Sequence, residues 1–306
     1  MITLVFGAGA SYGSGKCIPS NPPLGNYLFD DLVLLGGAYS KLSSHSKMTF
    51  KSEGFEAGMA TIANDSRLIT PLQKELACYL SGFSITPENA YTRLFNKLSS
   101  RMQRISITTL NYDLLIEQAL GFHGFSCDYN AQKQGVTLLK PHGSSNFLPQ
   151  MPKGCNFSGN TMRGCGTFYE GLETQAVSSS AEVKSWCNNP INEDLSPVLS
   201  MYEKGKRVVV NTKLIENCQK KYSQLVKDSD LVILVGIKYI EHDLHIWQPI
   251  EQGKQNVVIV DPYPQETINW ANKVKLKSMR VIPKGFNNAI WDIVKEVNAY
   301  CTTTNT

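Results

Sequence analysis

The sequence lacks the closely spaced cysteine pairs that build most four-thiolate zinc sites. Its eight cysteines are scattered, and no two of them have C-x-x-C spacing. This pattern predicts no zinc and no other metal cofactor, and it is typical of reduced, mostly buried thiols. We therefore expect a protein of a reducing compartment, the cytoplasm. The cysteines stand at positions 17, 78, 127, 155, 165, 187, 218 and 301.

Long apolar runs and a strong charge imbalance are also absent. No stretch approaches the ~20 apolar residues that a membrane-spanning helix needs, and the first residues show no basic segment ahead of an apolar one. The formal net charge of +4 is small for 306 residues. We therefore expect no membrane association, and the charge disfavours direct binding of nucleic acid.

Six short apolar runs, most of them β-branched and closed by Gly, Pro, Asn or Asp, predict buried strands, and helical stretches lie between them. Runs that are apolar on both faces suit the central strands of a parallel sheet. We therefore predict an α/β fold with a doubly wound, mostly parallel, Rossmann-like sheet. The predicted strands are Ile2 to Phe6, Ile105 to Thr109, Val136 to Leu139, Leu231 to Gly236, Val257 to Val260 and Arg280 to Ile282. The predicted helices are Tyr112 to Leu120, Leu214 to Lys227, Asp243 to Gln252, Pro264 to Val274 and Ala289 to Ala299.

Two segments interrupt this rhythm within a predicted single domain of residues 1–306. Residues 19–100 have Pro, Gly and Ser between helical pieces, which predicts a helical insertion over the sheet. Residues 149–200 are rich in Gly, Ser, Asn and Cys with weak periodicity, which predicts a loop-rich insertion or lid. The helical pieces of the first insertion are Asn26 to Leu35, Pro71 to Leu80 and Asn89 to Leu98.

A glycine-rich turn follows the first predicted strand. Glycines let the backbone approach a pyrophosphate, and the amides at the start of a following helix attract its charge. A nicotinamide-dependent oxidoreductase is disfavoured because Tyr12 holds the third position of the G-x-G-x-x-G fingerprint, and a phosphate-loop ATPase because Cys17 replaces the Ser or Thr that holds magnesium. A structural tight turn remains the alternative. The turn residues that we predict to bind a ligand are Gly7, Ala8, Gly9 and Ser11.

Polar residues also follow the second and third predicted strands. Thr109, Asn111 and Asp113 stand at the end of the second, and His142 follows the third within Lys140-Pro141-His142-Gly143-Ser144. The exits of parallel strands meet at the edge of the sheet where ligands bind. Asn111 alone could instead cap the next helix, and a lone histidine could be structural. With the glycine turn, these residues indicate a dinucleotide beside a catalytic imidazole.

Together these motifs resemble the Sir2 family in order and approximate spacing, over most of the chain outside the two insertions. The resemblance rests on Gly-Ala-Gly-Ala-Ser at 7–11, on Thr109-x-Asn111-x-Asp113 and on His142-Gly143. Farther along, it rests on Val235-Gly236-Ile237 followed by Val257 to Asp261.

Two departures separate this chain from the sirtuin deacylases, which generally carry two close cysteine pairs and usually have Gln where this chain has Leu110. The chain looks more like the bacterial Sir2-like domains that destroy NAD in anti-phage defence. The motifs shared with that group are Pro19-Ser20 to Leu24-Gly25, Thr-Leu-Asn-Tyr-Asp at 109–113, Lys-Pro-His-Gly-Ser at 140–144, and Gly236 leading to His242-Asp243 and Trp247.

The resemblance implies an NAD⁺ glycohydrolase that produces nicotinamide and ADP-ribose, with NAD⁺ as substrate and no other cofactor. Asn111 would hold the nicotinamide ribose or the attacking water, and His142 would act as a base. Asp113 would bind the carboxamide or order its loop, and Asp261 would contact the adenosine ribose or form a turn before Pro262. The residues implied for NAD⁺ binding are Gly7, Ala8, Gly9, Ser11, Thr109, Asp113, Gly236 and Asp261.

Two other functions stay open: a protein deacylase or ADP-ribosyltransferase, and a non-catalytic sensor of NAD or ADP-ribose. An unrestrained NAD hydrolase would exhaust its own cell, so family analogy implies a homo-oligomer or a separately encoded regulator, either an ATPase or a nucleic-acid-guided protein.

A histidine pair farther along the chain raises the question of a metal. His242 and His245, with Asp243 between them, have i, i+3 spacing at the start of a predicted helix. The sequence offers no third ligand near them, so we expect no metal site there.

Overall fold

The computed structural model describes residues 1–62, 65–154, 169–200 and 210–303. Its strands, in chain order, are β1 (Ile2–Phe6), β2 (Cys17–Ile18), β3 (Ser84–Ile85), β4 (Ile105–Thr109), β5 (Cys127–Asp128), β6 (Val136–Leu139), β7 (Phe147–Pro149), β8 (Thr174–Ala176), β9 (Leu231–Val235), β10 (Asn256–Val260) and β11 (Met279–Ile282). Seven of them form the central sheet, in the order β11-β10-β9-β1-β4-β6-β5, and every neighbouring pair in it is parallel.

The helices of the described residues, in chain order, are α1 (Ala8–Tyr12), α2 (Gly25–Leu34), α3 (Ser44–Glu53), α4 (Phe55–Ile62), α5 (Ser66–Leu80), α6 (Ala90–Leu98), α7 (Leu115–Phe122), α8 (Ser180–Cys187), α9 (Thr212–Asp228), α10 (Leu244–Gln252), α11 (Gln265–Lys273) and α12 (Phe286–Thr303). Short 3₁₀ helices lie at Tyr39–Lys41, Ser99–Arg104 and Pro190–Asn192. None of the helices described is long and apolar enough to cross a membrane.

The strand order reverses at β1, which lies between β4 and β9. From β1 the chain first builds β4, β5 and β6 on one side, and it then returns to build β9, β10 and β11 on the other. This is the arrangement of a doubly wound sheet, in which the crevice at the reversal is the usual place for a ligand. The structure therefore confirms the predicted α/β, mostly parallel, Rossmann-like sheet.

Alternate residues of β1 pack into separate cores on the two faces of the sheet. Leu4 and Phe6 join the larger core, and Val5 joins the smaller one. Phe6, the last residue of the strand, packs edge-on against Tyr91 of α6 with ring centroids 5.2 Å apart. Burying a phenylalanine contributes about 1.5–3 kcal/mol, so the core fixes the point at which the glycine turn leaves the sheet.

The two segments outside the strand and helix rhythm differ in content. Residues 19–100 contain α2 to α6, the short strand β3 and two 3₁₀ segments. In residues 149–200, the described part contains β8, α8 and one 3₁₀ helix, while residues 155–168, with Cys155 and Cys165, lie outside the described residues. The other six cysteines are free thiols.

Several features differ from the sequence interpretation. The edge strand β5 of the central sheet was not predicted, nor were the short strands β2, β3, β7 and β8. The glycine turn contains a short helix, α1, that was not predicted. The helix after β4 begins at Leu115 instead of Tyr112, and the Asp113 carboxylate, which precedes the N-cap residue Leu114, accepts the Leu115 amide at 3.1 Å.

Candidate functional site

The glycine turn and Asn111 lie in direct contact at the exits of β1 and β4. The side-chain nitrogen Nδ2 of Asn111 donates to the Gly7 carbonyl and to Ser11 Oγ, both at 2.9 Å. Thr109 Oγ1 accepts the Asn111 amide at 3.1 Å and donates to the Phe6 carbonyl. Asn111 therefore spans the two strand ends, which excludes the alternative that it caps the next helix.

These contacts fix which end of the Asn111 amide is available to a ligand. Because the Gly7 carbonyl can only accept, the nitrogen must face it, and both of its hydrogens are used. The carbonyl oxygen Oδ1 accepts nothing from the described residues, and it is not among the side-chain atoms sealed from solvent. Asn111 therefore presents a hydrogen-bond acceptor at a residue that is only 7% exposed.

The glycines of the turn allow a close approach between the β1 and β9 exits. The Gly9 amide donates to the Gly236 carbonyl at 3.0 Å, and a Cβ atom on Gly7 would stand 2.7 Å from that same oxygen. Gly236 has a φ of +61°, and a Cβ there would lie 2.2 Å from the Ala10 nitrogen. The amides of Gly7 and Ala10 are also bonded within the protein, to Val235 and Gly7 carbonyls. Several of the turn's amides are thus already used.

Behind this contact, the Asp113 carboxyl lies in a fully buried environment. It accepts the Leu115 amide and a hydrogen bond from Ser11. Burial raises the pKa of Asp113 above its ordinary value, although the nearby Lys140 charge and these hydrogen bonds oppose the shift. Ser11 Oγ also contacts the buried Tyr91 hydroxyl at 3.1 Å. Ser11 therefore joins Asn111 to the buried Asp113 carboxyl through hydrogen bonds.

Lys140 connects the loop after β6 to the loop after β4. Its side chain is 0% exposed, and Nζ donates to the Asp113 carbonyl at 2.8 Å and to Glu117 Oε1 at 2.7 Å. The Ser145 amide adds a backbone bond to the Tyr112 carbonyl at 3.1 Å. The Asn111 and His142 loops are consequently held together at one edge of the sheet. Lys140 belongs to the Lys-Pro-His-Gly-Ser motif, and this connecting role is not apparent from the sequence.

The backbone of His142 is held by residues 198–200. The Ser200 amide donates to the His142 carbonyl at 2.8 Å, and the Ser144 amide donates to the Val198 carbonyl at 3.0 Å. Gly143 makes this fit possible, since its φ is +81° and a Cβ atom would stand 2.0 Å from the Val198 oxygen. His142 itself is 4% exposed.

The imidazole of His142 contacts His245, a residue for which the sequence predicts no role in the site. Its Nε2 lies 2.9 Å from Nε2 of His245 and 4.0 Å from Oδ2 of Asp243. These two residues come from the start of α10, about a hundred positions away, so no local pattern could reveal the contact. His242 lies elsewhere and pairs with Glu56 at 3.3 Å.

The remaining predicted residue, Asp261, lies at the exit of β10, next to the β9 exit. The Gly236 amide donates to the Val260 carbonyl, which joins the two exits. Asp261 Oδ1 accepts the Tyr263 amide at 2.7 Å, so the predicted turn role is present. Burial raises the pKa of Asp261. Two cavities, of about 650 and 610 Å³, lie elsewhere and include neither Asn111 nor His142.

Asp113 provides a pH-dependent test of this arrangement. A carboxyl group whose folded-state pKa is raised costs stability once the pH exceeds its unfolded pKa of about 3.9, and the full cost is reached above the folded pKa. We expect Asp113→Asn, which retains an oxygen for Leu115, to gain unfolding free energy relative to wild type as pH rises from about 4 to 7. Urea unfolding of both proteins across that range measures the difference, and a difference independent of pH would contradict the burial effect.

Comparisons with known proteins give structural similarity without sequence similarity. No protein-family model and no curated protein matches the chain. Among solved structures, it resembles a serine-to-alanine mutant of a Sir2 homologue in complex with ADP-ribose, at 14% identity and a TM-score of 0.49, over 98% of this chain and 93% of that chain. A Sir2 homologue in complex with NAD matches at 12% identity and a TM-score of 0.44, over 98% and 90%. Sir2 bound to an acetylated peptide matches at 12% identity and a TM-score of 0.49, over 97% of this chain and 93% of that chain.

Proposed function

We propose that this protein is an NAD⁺ glycohydrolase that cleaves the nicotinamide–ribose bond and depletes NAD in an abortive anti-phage response. The observation that carries the proposal is the oriented Asn111 carbonyl at the β4 exit, whose loop is bonded to the loop that holds His142. Both belong to a doubly wound sheet beside its reversal of strand order, where ligands bind. The sequence motifs that resemble the anti-phage branch of the Sir2 family supply the identity of the ligand.

The reaction needs little covalent chemistry from the protein. The nicotinamide ring is cationic in NAD⁺ and leaves as a neutral molecule, through a transition state with oxocarbenium character at the ribose carbon. Water then forms the new bond at that carbon and loses a proton. Asn111 Oδ1 would accept a hydrogen bond from a ribose hydroxyl or from that water, which holds it in position for attack.

His142 would take up the proton. An imidazole has an ordinary pKa near 6.5, which suits a general base at neutral pH. In the present arrangement, its Nε2 atom is within hydrogen-bond distance of His245 Nε2. A substrate hydroxyl that uses this nitrogen must therefore replace His245, so a reaction through Nε2 requires the two imidazoles to separate.

The phosphates would lie against the turn that contains Ala8 and α1. Because the amides of Gly7, Gly9 and Ala10 are bonded within the protein, the Ala8 amide is a candidate donor to the phosphates. Gly236 would form the adjoining wall, and Asp261 would face the adenosine ribose at the β10 exit. Control by self-association or by a separately encoded regulator remains a prediction from the family resemblance.

The test is to incubate the purified chain with NAD⁺ and measure nicotinamide and ADP-ribose by chromatography. We expect equimolar products, and we expect His142→Ala to slow their release by about 100-fold or more. His45→Ala, at an exposed position on α3, is the matched histidine control and should retain wild-type activity.

Two additional measurements separate this proposal from the other functions. An acetylated peptide added to the reaction would be deacetylated by a deacylase, and the acetyl group would appear on ADP-ribose. Calorimetric binding of NAD⁺ without nicotinamide release in any activated state would identify a sensor. Either result, or equal activity of wild type and His142→Ala, would contradict the proposed hydrolase.

A further inference from the structure

The strongest feature that the proposed reaction leaves unexplained is the cluster formed by His142, His245 and Asp243. One ligand atom from each residue lies within 4.8 Å of the others, and the two imidazole nitrogens are 2.9 Å apart. His142 and Asp243 are buried, whereas His245 is half-buried. Two imidazoles and a carboxylate brought together in this way form a ligand set typical of divalent transition metals.

We propose that His142, His245 and Asp243 form a Zn²⁺ site that takes the proposed catalytic histidine out of use when the metal is bound. The binding of the metal stands independently of the proposed function, whereas the inhibition rests on it. The sequence analysis expected no metal because the His242–His245 pair had no third ligand. The fold supplies one from the β6 exit, and it replaces His242 as the partner of His245.

The ligand atoms need only small movements to surround zinc. Zinc lies about 2.0–2.1 Å from its nitrogen and oxygen ligands, which places tetrahedral ligand atoms about 3.4 Å apart. The two Nε2 atoms must therefore separate by about half an ångström, and Asp243 Oδ2 must approach from its present 4.0 Å. Asp243 precedes α10, and its side chain makes no capping hydrogen bond to that helix.

The cluster also has a route to solvent. His245 lines a surface cavity of about 280 Å³, together with Glu216, Gln219 and Gln248. A metal can therefore reach His245 first and gain the two buried ligands as it moves inward. Zinc has a fourth position for water in sites with three protein ligands, and that position would face this cavity.

Bound zinc would compete with the proposed reaction directly. A lone pair of His142 that coordinates a metal cannot accept a proton, so the ring is lost as a base for as long as the metal remains. Such a site would restrain an NAD hydrolase within its own chain. The site would release the His142 imidazole when the concentration of free Zn²⁺ falls.

The experiment uses Co²⁺, a coloured substitute for Zn²⁺, with the full-length chain and without NAD⁺. We expect one Co²⁺ per chain with visible absorption of a tetrahedral nitrogen–oxygen site and without the near-ultraviolet band of cysteine thiolate ligands. Excess Zn²⁺ should remove the signal. Because losing even a residue that supports a ligand weakens metal affinity about 10–100-fold, we expect His245→Ala and Asp243→Ala each to weaken Co²⁺ binding by at least that factor.

His242→Ala is the matched control, since His242 pairs with Glu56 outside the cluster and should leave Co²⁺ binding unchanged. Thermal unfolding of each variant checks that it is folded. Zn²⁺ should inhibit nicotinamide release by wild type and by His242→Ala, and it should inhibit His245→Ala much less, relative to the activity of that variant without metal. No Co²⁺ binding to wild type, a thiolate spectrum, or equal binding by His245→Ala would overturn the metal site. Specific Co²⁺ binding by a chain that hydrolyses no NAD⁺ when it is metal-free would instead retain the site and reject the proposed function.

Discussion

Asn111→Ala is expected to lower the rate of nicotinamide release from NAD⁺ by about 10²–10³-fold, the loss typical of a group that positions a reacting molecule. The variant removes the Oδ1 acceptor, to which none of the described residues donates. It also removes two hydrogen bonds, to Gly7 and Ser11. Steady-state kinetics with a thermal unfolding curve measures both consequences.

Ser11→Ala separates the chemical role of Asn111 from its structural one. This variant deletes one of the two acceptors of Asn111 Nδ2 and leaves the Oδ1 atom in place. Ser11 also contacts Tyr91 and Asp113, so we expect a loss of stability of about 1 kcal/mol for each hydrogen bond removed, with a much smaller loss of activity than Asn111→Ala. Equal losses of activity in the two variants would mean that Asn111 acts only by joining the strand exits.

Lys140→Met is expected to produce the largest loss of stability, about 3–5 kcal/mol, because it leaves the Glu117 charge without its partner in the interior. The lysine is 0% exposed and the glutamate 11% exposed in this pair. The variant also removes the bond to the Asp113 carbonyl that joins the β4 and β6 loops. Urea unfolding at neutral pH measures the effect.

Two controls accompany this measurement. Lys284→Met breaks an ion pair with Asp292 whose side chains are 49% and 36% exposed, and it should cost less than about 1 kcal/mol. Adding Glu117→Gln to Lys140→Met removes the stranded charge and should recover more than half of the loss. If the double variant is no more stable than Lys140→Met, the ion pair is not the source of the effect.

The six predicted strands agree with the structure to within one residue at each end. Buried parallel strands appear in a sequence as short apolar runs, and most of these runs are followed by Gly, Pro, Asn or Asp. Short helix α1 was missed for the opposite reason. Its residues, Ala-Gly-Ala-Ser-Tyr, contain a glycine and a serine that favour a turn by local preference, and the packing against the β9 exit decides their conformation.

Only part of the candidate site could be predicted from the sequence. Sequence placed Asn111 and His142 at strand exits, and the structure joins their loops through Lys140. Which atom of Asn111 faces outward depends on Gly7, about a hundred residues earlier, and the imidazole contact depends on His245, about a hundred residues later. Contacts over such distances follow from the order of strands in the sheet, which a single sequence does not specify.

The glycine contacts between the β1 and β9 exits have a mechanical consequence. Gly236 backbone atoms lie where a Cβ atom on Gly7 or Gly9 would stand, so this contact is made mainly by main-chain atoms, with the Ile237 side chain beside Gly7. We therefore expect this side of the crevice to be rigid. We expect the opposite side of the crevice to move when a dinucleotide binds. On that side, residues 198–200 hold the His142 loop through two backbone hydrogen bonds.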